Sequence, residues 1–367
     1  MNRQSEVLVD LIAGARPNFV KLASIVRAIK LEKSVIKYRL IHTGQHYSPS
    51  LSDSFFEQLD LPKPDINLGA GSGTQAEQTA KIMVGYEQVL IKEKPAVCIV
   101  VGDVNSTMAC AIVAKKSGVK VAHIEAGIRS YDWNMPEEIN RVVTDSITNW
   151  FFTTSQLANK NLLSQGVKSD NIFFVGNTMI DTLLNQSPRF CKPNFWFEYN
   201  LTNKNYIVLT LHRPANVDDP NNLLEILKTI DENTNGMQVI FPVHPRTNSI
   251  LDQLEMNLSF IKFVPPQGYL EFNYLVKNSF AVITDSGGIS EEATMFNVPC
   301  LTMRDNTERP ETIDLGTNEL VGTNPAMLPK FLKILFDGNW KNGSIPPKWD
   351  GNTGSRIIKI IHKLLEG

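Results

Sequence analysis

Several sequence signatures of common chemistries are missing from this chain of 367 residues. It has no GxGxxG dinucleotide fingerprint, no Walker A loop, no GxSxG nucleophile motif and no HExxH helix, which argues against the enzyme classes that these motifs define. The four cysteines are scattered without CxxC or CxxH spacing, and Cys98 and Cys300 lie in apolar runs. We therefore expect no metal site and a reducing, cytoplasmic location.

Long apolar runs and net charge are equally scarce. No stretch approaches 18 apolar residues, so we expect neither a transmembrane helix nor a signal peptide. The 36 basic and 38 acidic residues leave a net charge of −2, which gives no electrostatic basis for binding nucleic acid or an anionic membrane. A hydrophobic content of 42% is that of a globular protein with sizeable cores.

What is present is a regular alternation of short apolar strands and helical patterns. The run AVCIVVGD at 96–103 is typical of a buried parallel strand, and the βα series around it predicts a doubly wound parallel sheet. Prolines, aromatics and asparagines interrupt the pattern at 186–205, and a second βα series follows. We place an N-terminal lobe at 1–180, a C-terminal lobe at 181–352, and at 353–367 an amphipathic helix that packs back on the N-terminal lobe. This α/β architecture of two Rossmann-like lobes predicts a central ligand-binding cleft.

The densest group of acids lies in HIEAGIRSYDWNMPEEINR at 123–141, between a predicted strand and a predicted helix. We expect Glu125, Glu137 and Glu138 to converge with Asp103, because the carboxyl ends of parallel strands meet at one edge of a sheet. Crowded carboxylates cannot all be ionised, so some should hold protons and serve as general acid and base. The alternatives are that the acids only pair with arginines of the same stretch, or lie in a solvated loop.

Two glycine-containing turns at helix starts have the composition of anion sites. In GARPNFVK at 14–21, Arg16 and Lys21 stand beside the first N–H groups of a helix, where a phosphate could bind. The alternative is a plain strand–helix turn with surface cations.

The second turn, TDSGGISEE at 284–292, repeats this device. Ser286 can cap the helix and donate to a phosphate, while Gly287 and Gly288 let the backbone approach a ligand. Glu292, one to two turns into the helix, could reach a ribose diol. The alternative is an N-capped helix with a surface glutamate.

Histidines and arginines mark further strand ends of the second series. His212 and His244 each end a strand, in LTLHRP and FPVHPR, where they could line a cleft and hold a pyrophosphate. Arg304 and Arg309 in RDNTERPET could close over an anion, although a solvated loop explains that segment as well. No histidine pair has the spacing of a metal site.

Together these motifs resemble the non-hydrolysing UDP-N-acetylglucosamine 2-epimerase family. The resemblance covers about residues 7–322, in order, through GARPNFVKLA, TGQHY, GDVNST, HIEAGIRS, MPEEINR, VGNTMID, TLHRPANV, PVHP, TDSGGISEEA and RDNTERPET. It implies the glycosyltransferase-B architecture, a homodimer, and no nicotinamide, metal or other cofactor. It also implies that UDP-GlcNAc and UDP-ManNAc are interconverted for surface polysaccharide synthesis, by anti elimination of UDP to 2-acetamidoglucal and re-addition of UDP.

The resemblance assigns roles motif by motif. It places the family's catalytic carboxylates and a candidate catalytic histidine at Asp103, Glu125, Glu137 and His212. Arg16 and His212 match diphosphate contacts, and Phe272 matches an aromatic at the uracil. Further active-site and UDP-binding positions match Lys21, Arg141, Ser286, Gly287, Gly288 and Glu292.

This sequence departs from the family's pattern at several places. Asn18 stands where the family often has Glu, and Gln45-His46-Tyr47-Ser48 lacks an arginine that in regulated members helps bind a second, allosteric UDP-GlcNAc. The insert at 131–134 is where we expect substrate-specific differences. The alternatives are therefore a 2-epimerase of a modified sugar, such as UDP-2,3-diacetamido-glucuronate, or a hydrolysing relative that releases UDP and ManNAc.

Overall fold

The computed structural model describes residues 6–32, 35–45, 53–243, 245–251, 254 and 256–366. The chain divides into two compact units. The first consists of Met1–Asn185 together with Pro347–Gly367, and the second of Gln186–Pro346. Each unit has its own parallel sheet and its own buried core.

The first unit is built on a seven-stranded parallel sheet. Its strands are β1 (Val7–Ala13), β2 (Ile36–His42), β3 (Ile66–Asn67), β4 (Val97–Val101), β5 (Lys120–Ile124), β6 (Trp150–Thr153) and β7 (Ile172–Phe174). The spatial order is β3-β2-β1-β4-β5-β6-β7, so the order reverses between β1 and β4. All five residues of β4 are buried, as the apolar run predicts for a strand covered on both faces.

Helices follow nearly every strand of this unit. They are α1 (Arg16–Leu31), α2 (Asp53–Gln58), α3 (Gln75–Lys92), α4 (Asn105–Lys116), α5 (Pro136–Ile147), α6 (Gln156–Ser164) and α7 (Thr178–Gln186). Local sequence explains where they begin. Thr74 and Glu77 form a capping box at α3, and Pro136 occupies the first turn of α5.

The second unit repeats the architecture with six parallel strands. They are β8 (Tyr206–Thr210), β9 (Gln238–Pro242), β10 (Ile261–Val264), β11 (Ala281–Thr284), β12 (Cys300–Thr302) and β13 (Asn318–Leu320). The order β10-β9-β8-β11-β12-β13 reverses between β8 and β11. Its helices are α8 (Pro214–Val217), α9 (Pro220–Glu232), α10 (Pro245–Leu251), α11 (Tyr269–Asn278), α12 (Gly287–Met295), α13 (Pro310–Asp314) and α14 (Leu328–Phe336). The predicted α/β fold with two Rossmann-like sheets is therefore confirmed.

The last helix, α15 (Thr353–Glu366), belongs to the first unit and packs against α1. Gly354 permits the close approach, because a Cβ atom there would lie 2.5 Å from the Ser24 carbonyl oxygen. Asp181 of α7 fixes the start of α15 by accepting the Gly354 N–H at 2.7 Å. None of the helices in the described ranges is long and apolar enough to cross a membrane.

Candidate active site

Glu125 and Lys21 form a buried ion pair at the end of β5. Lys21 Nζ, on α1, lies 2.6 Å from Glu125 Oε2, and at least nine-tenths of each side chain is buried. Glu125 follows β5 directly and has a φ of 69°, a left-handed conformation that residues other than glycine rarely adopt. Backbone strain of this kind is concentrated at functional sites, so we regard Glu125 as a candidate for chemistry.

Gly102 follows β4 and leaves room for this ion pair. Its φ is 70°, and a Cβ atom at this position would lie 3.2 Å from Lys21 Nζ and 3.7 Å from Glu125 Oε2. Glycine therefore fits here both for its backbone conformation and for its lack of a side chain. The close approach brings Asp103, the next residue, to the neighbourhood of the Glu125–Lys21 pair.

Arg141 of α5 binds two carboxylates. Its Nε and Nη2 atoms donate to Asp103 Oδ2 at 3.0 and 2.6 Å, and Nη1 donates to Glu138 Oε2 at 2.8 Å. Burial alone would raise the pKa of Glu138, but hydrogen bonds from the Ser130 N–H and from Arg141 hold that pKa below its usual value. Glu138 is thus an ionised structural anchor, whereas the Asp103 side chain keeps 31% of its surface exposed.

Three acids of this cluster have cationic partners. Glu125 pairs with Lys21, and Asp103 and Glu138 share Arg141. Such pairing weakens the like-charge repulsion that favours a protonated carboxyl group. That some of the other acids hold protons stays a prediction.

Of the other charged residues in this stretch, Arg129 and Asp132 have structural partners, whereas Glu137 lies near the other acids. Arg129 is buried and pairs with Asp145 at 2.7 Å, and Asp132 Oδ1 accepts the Asn134 N–H at 3.0 Å. Both interactions are structural. Glu137 lies half-buried in the first turn of α5, at the same edge of the sheet as the other acids.

Asn18 closes the turn that precedes α1. Asn18 Oδ1 accepts the N–H groups of Gly14 and Ala15 at 3.1 and 2.9 Å, so these two donors are already satisfied within the chain. The Arg16 guanidinium lies 4.9 Å from the centroid of the Phe55 ring, and burial lowers the pKa of Arg16. An anion at this turn would thus be held by the Arg16 side chain rather than by those N–H groups.

In the second unit, His212 and Asp285 meet where the strand order reverses. His212 follows β8 and Asp285 follows β11, and these strands are paired with Thr210 opposite Thr284. His212 Nδ1 lies 2.7 Å from Asp285 Oδ1, while 56% of the imidazole surface remains exposed. Burial alone would raise the pKa of Asp285, but His212 and the Arg213 N–H hold that pKa below its usual value. An ionised carboxylate thus orients an accessible imidazole.

The start of α12 presents N–H groups beside a buried arginine. Ser286 occupies the N-cap position, but contrary to expectation its side chain makes no capping hydrogen bond. A Cβ atom on Gly287 would lie 3.7 Å from Arg304 Nη1, and Arg304 is itself held by Glu308 at 2.7 Å. Ser286, Gly287 and Gly288 are all partly exposed, so the first turn of α12 is open to a ligand.

Glu292 lies on the buried side of α12, close to α11. Burial and the nearby Glu291 raise the pKa of Glu292 to about 8, against the lowering effect of a hydrogen bond with Asn273. Phe272, on α11, packs against the core of this unit and is partly exposed. The alternative interpretation of Glu292 as a surface residue is therefore wrong, since Glu292 is only 5% exposed.

Arg309 and His244 are two further residues that the sequence predicts to bind substrate. Arg309 is buried against α12, where its Nε atom lies 2.9 Å from Glu291 Oε1. The alternative interpretation of this segment as a solvated loop is thus wrong at Arg309, since that residue is only 8% exposed. His244 lies outside the described residues.

Within the ranges that the structure describes, no three His, Cys, Asp or Glu side chains are grouped so that they could hold a metal ion. The four cysteines are free thiols, and burial raises the pKa of Cys110 and Cys300. Such thiols pack as small apolar side chains.

Sequence reasoning missed the residues that hold the candidate acids and bases in place. Asp285 was passed over although it stands between a strand end and Ser286-Gly287-Gly288, a position that could have indicated it. Asn140 was also missed, and it donates to the Asp103 carbonyl oxygen at 2.8 Å. No sequence signal reveals such a contact, because it joins α5 to the neighbouring strand end.

Comparison with known proteins agrees with this geometry. Residues 28–362 match the family described as UDP-N-acetylglucosamine 2-epimerase. The UDP-N-acetylglucosamine 2-epimerase of Methanocaldococcus jannaschii is 45% identical over 96% of this chain and 98% of its own length. The UDP-2,3-diacetamido-2,3-dideoxy-D-glucuronate 2-epimerase of Pseudomonas aeruginosa is 39% identical over 96% of this chain and 99% of its own length.

A solved structure extends the likeness to the fold. The crystal structure of the M. jannaschii UDP-GlcNAc 2-epimerase in complex with UDP-GlcNAc and UDP superposes with a TM-score of 0.86, covering 98% of this chain and 100% of that one. The predicted glycosyltransferase-B fold class is thereby confirmed. The chain belongs to the UDP-N-acetylglucosamine 2-epimerase family.

Proposed function

We propose that this protein is a non-hydrolysing 2-epimerase that interconverts UDP-GlcNAc and UDP-ManNAc. The observation that carries the proposal is the pair of cation-bound carboxylates, Asp103 and Glu125, at adjacent strand ends next to the reversal of strand order. The proposal is further supported by the 45% identity, over nearly the whole chain, to a protein named UDP-N-acetylglucosamine 2-epimerase.

The first unit carries the proton-transfer groups. A carboxylate takes the proton from C2 while the C1–O bond to UDP breaks, which gives 2-acetamidoglucal and free UDP. An acid then returns a proton to the opposite face of C2, and a β-phosphate oxygen of UDP attacks C1. Asp103, Glu125 and Glu137 fill these roles between them, while Lys21 orients Glu125 and Arg141 orients Asp103.

The second unit binds UDP. The N–H groups of Gly287 and Gly288 and the Ser286 hydroxyl contact the phosphates at the positive end of α12. Glu292 accepts hydrogen bonds from the ribose hydroxyls, and Phe272 lies against the uracil. The exposed Nε2 edge of His212 donates to the departing diphosphate or transfers a proton. We also assign Arg309, His244 and, from the first unit, Arg16 to binding of the substrate.

The family resemblance supports three further parts of the proposal. The enzyme works as a homodimer in the cytoplasm, and it supplies a precursor for surface polysaccharide. Light scattering of the purified protein tests the first part, since a monomer at micromolar concentration would contradict it.

A second substrate remains a specific alternative. The P. aeruginosa relative is named for UDP-2,3-diacetamido-2,3-dideoxy-D-glucuronate and is almost as similar to this chain as the M. jannaschii enzyme. Tyr131 and Trp133 are 69% and 64% exposed, and the Tyr131 N–H donates to Glu138 Oε1 at 3.1 Å. We assign these two residues to that choice of sugar. A hydrolysing relative would share the elimination step but release UDP and free ManNAc.

One NMR experiment separates these possibilities. Protein is incubated in D2O with UDP-GlcNAc and, separately, with UDP-2,3-diacetamido-glucuronate. The proposal predicts deuterium at C2 and the appearance of UDP-ManNAc from the first substrate. Exchange of the second substrate alone would identify the alternative sugar, and stoichiometric UDP with free ManNAc would identify the hydrolase. Absence of exchange with every UDP-HexNAc tested would overturn the proposal.

A further inference from the structure

We propose that His123 is a positioning residue that joins the two turns carrying Asp103 and Glu125, an inference that rests on the proposed epimerase function. His123 lies on β5 and is completely buried. Its Nε2 atom lies 2.8 Å from the Gly102 carbonyl oxygen, and its Nδ1 atom lies 2.7 Å from Asp145 Oδ1. The imidazole therefore spans from the end of β4 to α5.

The contact with Gly102 fixes the turn that carries Asp103. A carbonyl oxygen can only accept a hydrogen bond, so Nε2 must carry a proton and donate. The Gly102 N–H in turn donates to the Ile124 carbonyl oxygen at 3.0 Å. Both ends of this left-handed glycine are thus tied to β5, and rotation of its peptide would move the Asp103 carboxylate away from Arg141.

The contact with Asp145 fixes the turn that follows Glu125. Asp145 Oδ2 accepts the Gly127 N–H at 3.0 Å and lies 2.7 Å from Arg129 Nη2. Gly127 stands two residues after Glu125 and also has a left-handed φ, of 78°. The carboxylate of Asp145 therefore braces the backbone next to the strained Glu125.

Hydrogen bonding also fixes the orientation of the imidazole. Burial alone would raise the pKa of Asp145, but His123 and Arg129 hold that pKa below its usual value, so this carboxylate is ionised and only accepts. With the Gly102 carbonyl oxygen on the other side, each ring nitrogen faces an acceptor, and the ring is held between α5 and the end of β4.

Two substitutions separate the two contacts. In His123→Gln, the terminal amide N–H reaches the place of Nε2 and keeps the bond to Gly102. In His123→Asn, the shorter amide matches Nδ1 and keeps only the bond to Asp145. We expect the Gln variant to retain kcat within about 10-fold, and the Asn variant to lose about 10²-fold in kcat with little change in KM, the scale of loss for misplaced catalytic groups. Equal loss in both variants, or loss confined to KM, would contradict the proposal.

Two measurements do not depend on activity. A crystal structure of His123→Asn should show a rotated Gly102 peptide and a broken Asp103–Arg141 contact, whereas His123→Gln should retain both. If His123→Asn does not fold, side-chain ¹⁵N NMR of the histidine-labelled wild-type protein decides, with the His123 signals identified by their absence in His123→Gln. A protonated, hydrogen-bonded Nε2 supports the bridge to Gly102, and an unprotonated Nε2 overturns it. A wild-type protein without C2 exchange would instead refute the proposed reaction, while these two measurements still report on the bridge.

Discussion

The imidazole of His212 and the carboxylate of Asp285 are 2.7 Å apart, with the carboxylate fully buried and the imidazole half-exposed. The carboxylate occupies Nδ1, so only Nε2 is left to face a ligand. Asp285 also accepts the backbone N–H groups of His212 and Arg213 at 3.0 and 2.8 Å. One acid thus fixes both the side chain and the backbone of the candidate catalytic histidine.

Asp285→Asn should therefore lower activity, although residue 285 acts only through His212 and not on the substrate itself. The amide can no longer hold the same imidazole tautomer, and we expect kcat to fall about 10- to 100-fold, the usual cost of losing such a partner. The check is steady-state kinetics of Asp285→Asn, His212→Asn and the double variant. Because both act through one group, the losses should not add. Additive losses would show that Asp285 acts independently of His212.

The carboxylates of the first unit should control turnover rather than UDP binding. Asp103→Asn, Glu125→Gln and Glu137→Gln are each expected to lower kcat by about 10²–10⁴-fold, the scale of a lost general acid or base. Calorimetry should show a UDP affinity close to that of the wild type. Glu87→Gln, at an exposed position on α3, is the matched control and should leave both quantities unchanged. Loss of UDP binding in a folded Glu137→Gln protein would assign that residue to binding.

Arg16→Ala should weaken the binding of UDP itself. Loss of one charge-assisted hydrogen bond costs about 1.5–3 kcal/mol, which corresponds to a Kd for UDP raised roughly 10- to 100-fold. Arg27→Ala, on the same helix but exposed, serves as the control in the calorimetric titration. An unchanged Kd in Arg16→Ala would mean that the guanidinium only packs on Phe55.

Glu292 should make stability depend on pH. Its pKa is about 8 in the fold and 4.5 when unburied, so between these values the folded state binds more protons than the unfolded state. The stabilising effect of the protonated group is complete below pH 4.5 and is lost as the pH rises to about 8. Glu292→Gln should therefore gain stability relative to the wild type across this window, as urea unfolding would measure. Glu225→Gln on α9 should keep the wild-type pH dependence.

Ligand binding offers a second check on the same residue. If the ionised Glu292 accepts the ribose hydroxyls, UDP binding must be accompanied by proton release near neutral pH. Titrations in buffers of different ionisation enthalpy should then give different observed enthalpies, and Glu292→Gln should abolish the difference. The same proton release in the Gln variant would place the titrating group elsewhere.

Sequence patterns predicted the sheets and the strand ends well, because those depend on local periodicity. The apolar run before Asp103 and the Gly-Gly pair after Ser286 each identified a strand end or helix start that the structure contains. Motif resemblance then supplied the family, which periodicity alone could not.

Partners across the sheet could not be predicted in this way. The pairing of Lys21 with Glu125 joins residues 104 positions apart, and that of His212 with Asp285 spans a strand crossover. The lowered pKa of Glu138 could not be predicted for the same reason, since repulsion among acids depends on which cations approach them. Spacing along the chain carries no information about such contacts.

The split of the first unit around Gln186–Pro346 has a consequence for biosynthesis. A ribosome must finish the entire second unit before α15 exists, so the α1 surface on which α15 packs stays bare during most of translation. Nascent chains stalled before residue 347 should therefore be bound by chaperones through α1. In the same way, a truncated gene product without α15 should aggregate, because Ile357, Ile358 and Ile361 would no longer cover that surface.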